Sequence, residues 1–493
     1  MKRQTRRDFL TCSGIGTLGI LFGDASFTST SKPKSEKTEI NDTYQFTRKI
    51  PIGDTYDLVV AGGGPAGSAA AIAAARLGAK VLLVEASGCL GGTGTSGLVT
   101  LFPSLTNGKE MIVGGLMKEI YETLQHRDFV QTGKPFQVEG YKLVLDELAV
   151  SAGVHIQFFT RVIDVDANTK QGKVTGLILN NIEGHHYIKA KTFIDCTGDA
   201  YVAKLCGVTC REAGTDTPTI MPPTLCGLVT GYDINQLRGV SQQKLLYKGF
   251  EDGTLSQKDR HLPGLFPGHK TVGFLNAGHM FNLNALRCKD LTDGIMLGRR
   301  LVQEYINFYR KHVPGCENME LVVTADIIGI RESRRIIGEY ELNIDDYMSR
   351  RTFPDQIGLN CYPVDIHIQN TSDEEWERFT EESGFYLEKG KGKTRYSPGE
   401  QHGIPYSILV PKGGWQNFWV AGRPVSSDVQ VHGAIRVQPN CSMMGQATGT
   451  AAVQSIKTGQ PAYDLNTETL VMTLRKSGAF LPQETLSKKM TRV

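Results

Sequence analysis

Gly62-Gly63-Gly64-Pro65-Ala66-Gly67 is the segment of this sequence whose residue types and spacing are best suited to holding a charged ligand. It follows the apolar run 56–61 and opens an alanine-rich stretch, 68–77, that Gly78 ends. A second apolar run, 79–84, leads to Glu85. The order predicts strand, Gly-x-Gly-x-x-Gly turn, helix, strand and acid, within the length of one βαβ unit. Gly62 permits the tight turn, Gly64 lets the backbone approach a pyrophosphate, and Gly67 lets helix and strand pack closely. Pro65 and Ala66 lie at the helix N-terminus, whose free N–H groups face the phosphates. Glu85 is placed to accept hydrogen bonds from ribose hydroxyls. The chemistry implied is dinucleotide binding.

The residues after Glu85 decide which dinucleotide. Ala86-Ser87-Gly88-Cys89-Leu90-Gly91-Gly92-Thr93 puts a Gly-Gly-Thr shortly after the ribose acid. This resembles flavoproteins of the glutathione-reductase-like superfamily, in which that loop, here Gly92 and Thr93, lies along the FAD phosphates. The apolar run ending in Thr197-Gly198-Asp199 looks like the same superfamily's second flavin-contact segment. Near the C-terminus, Asn417-Phe418-Trp419-Val420-Ala421-Gly422-Arg423 repeats the plan and precedes a predicted helix rich in small residues, 443–456. Three distant segments converging on one elongated cofactor imply FAD, since NAD alone needs only the first. The resemblance makes Val162, Gly422, Arg423 and Gln446 expected cofactor contacts as well.

Over roughly 54–460 the chain resembles the broad family of FAD-dependent oxidoreductases. The resemblance is carried by Gly114-Gly115-Leu116, the segment 329–339 around Arg331-Glu332-Ser333-Arg334-Arg335, Ile404-Pro405-Tyr406, Val431-His432-Gly433, and Gly445-Gln446-Ala447-Thr448-Gly449. Cys89 departs from it, standing where an apolar residue is more usual. The implied fold is α/β: a Rossmann-like FAD-binding domain, discontinuous in sequence, with an inserted α+β substrate or cap domain. The expected organisation is a signal peptide over 1–30, a flexible linker over 31–53, and the FAD-binding domain over 54–215 and 400–460. The cap takes 216–399 and a C-terminal extension 461–493. Helices are expected over 141–152 and 297–310, and strands over 155–159, 162–165 and 174–180.

No second glycine fingerprint follows the first, so reduction by a nicotinamide through a second Rossmann unit is not expected. A small-molecule substrate is expected to reduce the flavin, with electrons leaving to oxygen, a quinone or a redox carrier. Such oxidation needs a base for the proton and positive charge near the flavin pyrimidine edge. His432 is the preferred base, read as lying in a glycine-flanked loop before the C-terminal helix; His279 and His402 are alternatives. Arg331, Arg334 and Arg335 share one face if their segment is helical, and with Arg436 suit an anionic or hydroxyl-rich substrate. Cys441, at a helix N-terminus, is expected to have a lowered pKa, although noncovalent flavin is expected. The favoured function is oxidation of a hydroxylated small molecule, such as a sugar derivative. The alternatives are a flavin-dependent reductase or desaturase fed by a redox partner, and a non-catalytic FAD-binding maturation factor.

The chain begins with lysine and arginines followed by an apolar, glycine-containing run, 9–22. Thr5-Arg6-Arg7-Asp8-Phe9-Leu10 closely resembles the twin-arginine export consensus. The expected location is periplasmic or otherwise exported. The apolar run is too short and glycine-rich for a stable membrane span, and Cys12 precedes most of it, against a lipoprotein anchor. The 54 Lys and Arg nearly balance 51 Asp and Glu, which argues against a nucleic-acid partner. The ten cysteines include no Cys-x-x-Cys pair, and Cys206 and Cys210 have no complementary ligand cluster in the sequence. Free thiols and no metal site are therefore expected.

Overall fold

Strand β1 (Ile52–Ala61) carries Leu58, Val59, Val60 and Ala61 fully buried, the signature of a central parallel strand covered on both faces. In the computed structural model, residues 44–217, 219–268, 270–382 and 395–482 are described. The expected twin-arginine signal lies outside these residues. Residues 44–49 have no regular secondary structure and are exposed.

After β1, Gly62 turns the chain at φ +96° into α1 (Pro65–Arg76), and β2 (Val81–Val84) returns parallel to β1. Helices α2 (Gly115–His126) and α3 (Val138–Ser151) precede β3 (His155–Gln157), which adds parallel to β2. Strands β4 (Arg161–Asn168), β5 (Lys173–Asn181) and β6 (Gly184–Asp195) form an antiparallel meander. β6 runs parallel to β1 along its other side. The short α4 (Tyr201–Leu205) and β7 (Cys210–Glu212) lead out of this sheet.

A second layer comes next: β8 (Gly227–Thr230), α5 (Gln242–Glu251), β9 (Leu265–Phe266), β10 (Gly273–Leu275), α6 (Cys288–His312) and β11 (Glu320–Thr324). Its strands form an antiparallel sheet ordered β11-β8-β10-β9, and Val302, Tyr305, Ile306 and Tyr309 of α6 pack against it. β12 (Arg334–Ile336) pairs with β7. Then come α7 (Ile344–Met348), β13 (Gln356–Asn360), α8 (Asp373–Glu382) and β14 (His402–Pro405), which pairs with β13. The chain re-enters the first sheet as β15 (Phe418–Val420), parallel to the end of β6, and closes with α9 (Val429–Ile435), α10 (Gln438–Thr458) and α11 (Thr467–Lys476).

Strands β3, β2, β1, β6 and β15 thus all end at one edge, where open α/β sheets bind ligands. The fold is α/β with a Rossmann-like parallel sheet. The predicted helices and strands are present with shifted ends, and α10 begins five residues earlier than expected. Two local readings are corrected. His432 lies on helix α9, not in a loop, because Asp428 caps that helix by accepting from the Val431 N–H at 2.7 Å. The 331–335 segment is extended, ending as β12, so its arginines do not share a helical face. In the C-terminal extension, α11 buries Leu470, Val471 and Leu474 in the main core.

That core depends on α1 and α10 lying in direct backbone contact. A Cβ on Gly445 would sit 1.9 Å from the Ala66 carbonyl oxygen, and one on Gly449 would sit 2.2 Å from that of Ala70. Pairing 445 with 66 and 449 with 70 makes the helices parallel. Gln438 therefore projects seven residues, about 10 Å, past the level of Ala66. One packing contact thereby sets two helix N-termini at different heights above the same sheet edge.

Gly449→Ala is expected to lose about 1–3 kcal/mol of stability, read as a fall in the calorimetric melting temperature. A second expectation concerns buried His402, whose ring burial, and then the Arg350 charge, push down to about 3. An unfolded histidine binds a proton below about pH 6.5 that the folded one refuses. Stability is therefore full above that value and falls as pH drops toward 3. His402→Gln should flatten the slope of unfolding free energy by about 1.4 kcal/mol per pH unit between pH 5 and 4, measured by denaturant titration.

Candidate active site

The glycine loop forms an open cradle at the sheet edge. A Cβ on Gly67 would fall 1.7 Å from the Gly62 carbonyl oxygen, and one on Gly62 would fall 2.5 Å from the Cys196 carbonyl oxygen, so turn, helix and β6 are in contact. Gly64 differs: a Cβ there would meet nothing within 4 Å. No side chain caps α1, which leaves the first-turn N–H groups of Ala66 and Gly67 beside that space without a capping partner, Pro65 having none to offer. The second loop closes on the first, with the Gly91 N–H donating to the Gly63 carbonyl at 2.8 Å and Gly92 facing the Gly64 Cα. Thr93 stands half-buried beside Gly92, its carbonyl accepting from the Val99 N–H at 2.9 Å. Glu85 accepts from the N–H groups of Gly63 at 2.6 Å and Ser87 at 2.7 Å. Its own carbonyl accepts from Thr160, two residues before Val162 in β4.

The third wall comes from the ends of β6 and β15. The Gly198 carbonyl accepts from the Arg423 Nε at 2.7 Å, and Asp199 forms an ion pair with the same guanidinium. Arg423 also donates to the Ile330 carbonyl at 2.6 Å, while the Ser333 hydroxyl donates to Asp199 at 2.6 Å. Arg423 thus clasps the loops at 198 and 422 to the segment 330–333 that leads into β12. Gly422 lies against Ala66. Gln446, expected at the cofactor, instead accepts from the Leu116 N–H at 2.8 Å and caps α2. Gly445 faces α1, and the next residue is turned away toward α2.

The cradle fits FAD. Gly64 leaves room for a pyrophosphate at the uncapped N-terminus of α1. Farther out, no side chain caps α10. The buried Gln438 Oε1 and Ser442 Oγ in its first turns, and His432 Nδ1 on α9, have no hydrogen-bond partner among the described residues. Buried polar atoms are ordinarily paired, so these three suit the polar edge of a flavin ring.

From the side chain of Arg331, in the segment 330–333, runs a buried line of hydrogen bonds. Arg331 Nε donates to His367 Nε2 at 3.1 Å, His367 Nδ1 meets His279 Nε2 at 2.7 Å, and His279 Nδ1 meets Asp259 Oδ2 at 2.9 Å. Since Arg331 can only donate, a proton on His367 Nδ1 and the next on His279 Nδ1 give each of these three contacts one donor; the Asp365 Oδ1 also lies 3.3 Å from His367 Nε2. Burial raises the Asp259 carboxyl, but the His279 ring outweighs it and holds the group at about 2. Burial, then the Arg331 charge, pushes the His367 ring well below the usual imidazole range. Arg331 itself is lowered to about 10 by burial and then by Arg436. Its other nitrogen donates to the Pro222 carbonyl at 2.7 Å and the Thr224 hydroxyl at 2.8 Å.

Arg436, two residues before α10, donates to the Arg331 carbonyl at 2.8 Å and to the Asp365 carbonyl at 2.9 Å. His432 Nε2 meets the same Arg331 carbonyl at 3.0 Å. Wholly buried and pushed well below the usual range, first by burial and then by the Arg335 charge, His432 holds Arg331 in place more readily than it could hold a proton. His432, the preferred base of the sequence, is thus poorly placed for that role, whereas His279 and His367 lie on the hydrogen-bonded line. Arg334 turns away to Glu212 at 3.2 Å, and Arg335 pairs with Asp216 at 2.6 Å. His402 lies against Tyr396 and Tyr347, apart from this line. Cys441 is also corrected: burial pushes its thiol up to about 12, outweighing any helix N-terminus. The described cysteines are free thiols.

Asp259, His261, His367 and Asp365 escape a reading of the sequence, being dispersed among unremarkable neighbours without motif spacing. His261, His279 and His367 hold nitrogen atoms within 4.8 Å of one another, a grouping capable of ligating a metal. The 2.7 Å contact between two of them is nevertheless a hydrogen bond, shorter than the roughly 3.3 Å that two imidazoles on one tetrahedral zinc require.

Residues 57–474 match the family model described as FAD dependent oxidoreductase. A 48-residue segment is 58% identical to dihydrolipoyl dehydrogenase of Trypanosoma brucei brucei, covering 10% of each chain. A 179-residue segment is 33% identical to the mitochondrial dihydrolipoyl dehydrogenase of Schizosaccharomyces pombe, covering 34% of this chain and 32% of that one. The matches thus span about a tenth and about a third of those relatives. Among solved structures, a geranylgeranyl bacteriochlorophyll reductase-like protein of Thermoplasma acidophilum aligns at 14% identity over 88% of this chain and 90% of its own, with a TM-score of 0.42. A myxobacterial chondrochloren halogenase aligns at 14% identity over 86% and 79%, with a TM-score of 0.41. With most of its length matched by the family model and a cradle shaped for the cofactor, this chain belongs to the FAD dependent oxidoreductase family and is a flavoenzyme carrying FAD.

Proposed function

We propose that this enzyme is an exported dehydrogenase or oxidase that removes hydride from a hydroxylated small molecule, such as a sugar derivative. The observation that carries the reading is the buried line Asp259–His279–His367–Arg331, which ends two residues upstream of Ser333, the partner of Asp199, and at the residue whose carbonyl Arg436 holds. Bound FAD supplies the two-electron acceptor. The chain supplies the rest. A substrate hydroxyl that replaces the Arg331 Nε as donor gives its proton to His367 Nε2. His367 passes its Nδ1 proton to His279, whose positive charge then sits against the Asp259 carboxylate. The low basicity of His367 favours this onward transfer. Arg331 and Arg436 offer positive charge to the oxygen as the carbonyl forms.

Export is supported by the twin-arginine-like segment at residues 5–10. Among the described residues no helix is long and apolar enough to cross a membrane.

The test is anaerobic mixing of the oxidised holoenzyme with a panel of sugars, polyols and hydroxy acids, following loss of flavin absorbance. Bleaching by one of them is expected, and His367→Ala should slow it roughly 10²- to 10⁴-fold with flavin content unchanged. Silence toward the whole panel, with ready reoxidation of photoreduced enzyme by an enone, would instead favour the reductase. The cradle is tested separately: Gly64→Ala should weaken FAD binding about tenfold, some 1.4 kcal/mol, while leaving the melting temperature of the apoprotein unchanged. Equal FAD affinity would mean that the pyrophosphate does not pass over Gly64.

A further inference from the structure

A cavity of about 430 Å³ is lined by the loop that follows Gly92-Thr93. Thr95, Ser96 and Leu98 form its inner wall, Phe136 and Lys142 one flank, and Val323 with Ala325 the other. The loop is thin. Its far face is held to α10 by Gln438, whose amide donates to the carbonyls of Val99 at 2.6 Å and Leu101 at 3.1 Å. The cavity is therefore separated from the N-terminus of α10 by a single stretch of backbone. The Asp326 N–H donates to the Ser96 carbonyl at 3.0 Å and ties the second layer to the same loop.

The lining has a consistent chemistry. Its walls are mainly apolar, and two valines at its mouth, Val272 and Val323, are 43% and 45% exposed. Deep inside, Thr100 is wholly buried, and its hydroxyl has no partner among the described residues. A buried hydroxyl without a partner costs free energy that a ligand oxygen would recover. Lys142 lies on the same wall, ion-paired at 2.8 Å with the exposed Glu139. Thr100 and Lys142 can both donate to carbonyl oxygens. No imidazole lines the cavity, and its carboxylates, Glu139 and Asp326, are exposed. The set does not suit a polyhydroxylated substrate that must lose a proton. It suits a planar apolar ring bearing carbonyl oxygens.

We propose that this cavity is the site at which a quinone-class acceptor takes electrons from the reduced enzyme. The proposal rests on the reading that a substrate reduces the flavin at the histidine line. Two electrons and two protons convert the quinone to its hydroquinone. The two electrons come from the reduced cofactor, whose protons go to solvent, and the two protons the quinone takes up come from water, one of them relayed through the Lys142 ammonium. The two half-reactions then use different faces of the molecule, and the exposed valines form an apolar entrance.

The experiment uses photoreduced holoenzyme, so that it does not depend on identifying the substrate. Anaerobic mixing with a water-soluble dimethoxy-methyl-benzoquinone should restore flavin absorbance at a rate that saturates with quinone. Calorimetry should show the same quinone binding to the oxidised holoenzyme. Ala325→Trp, which fills the cavity, should raise both the half-saturating concentration and the Kd about tenfold or more, with reoxidation by oxygen within about twofold of the parent. Thr100→Val gives a second and milder probe should the larger side chain prevent folding, with an expected threefold to tenfold shift. Saturation that neither variant moves would overturn the assignment. So would displacement of the quinone by a substrate that bleaches the flavin. Saturable, variant-sensitive reoxidation in an enzyme that no hydroxylated compound bleaches would uphold the acceptor site while the substrate reading fails.

Discussion

Direct contact between the backbones of α1 and α10 sets the position of everything else in this molecule. Helices packed through side chains stand roughly 8–10 Å apart, and here the two glycines Gly445 and Gly449 lie against the carbonyl oxygens of Ala66 and Ala70. Any side chain at either glycine would push α10 outward and carry its N-terminus away from the sheet edge. Ala66 and Ala70, one turn apart on α1, are the complementary half of this contact, and α1 is buried throughout from Ala66 to Ala74. Together they place one uncapped helix end over the glycine turn and another farther out. An elongated cofactor with charge at one level and a polar ring edge at another needs that staggered arrangement.

From that frame the coupling passes through arginines. Arg423 joins the ends of β6 and β15 to residues 330–333, with Gly198, Asp199 and Ile330 as its partners. Arg436 and His432 then fix the Arg331 carbonyl from the α9 side. The Arg331 side chain is left pointing the other way, into the histidine line of the second layer. Buried charges are costly unless paired and hydrogen-bonded, and each of these guanidiniums is held by carbonyls or carboxylates that the two layers supply jointly. The polar segment 330–333 therefore couples the cofactor cradle to the histidine line as one hydrogen-bonded unit.

The histidines illustrate how burial alters what a residue can do. His432 lies closest in sequence to the cofactor helix and would be the obvious base, yet its ring is shut away from water and surrounded by arginine charges. His279 is as deeply buried but has Asp259 at 2.9 Å, a carboxylate that can stabilise a charged imidazole. Equal burial thus leaves the two rings with different partners, a backbone carbonyl for His432 and a carboxylate for His279. The deciding factor is the neighbouring charge, which no pattern around residues 279 or 432 reveals.

Much of the parallel sheet is legible from residue order alone. The strand, glycine turn, helix and acid of residues 56–85 are local, and each depends on backbone sterics or on burial of a continuous apolar run. The same holds for the Gly-Gly-Thr loop and for the strands that end at Asp195 and Val420. Helix ends are less legible: α10 starts at Gln438 because Val437 stays extended and Pro439 is tolerated in the first turn. The arginine segment 331–335 misleads, since its spacing suits a helix while pairing with β7 makes it a strand. Functional residues divide along the same physical line. Most of those expected to bind the cofactor belong to short local motifs, although Gln446 faces α2 instead and Gln438 and Ser442 carry no such motif. The histidine line joins residues 259, 279, 331 and 367, and is created only when the second layer folds over the first, so only the tertiary structure could assemble it.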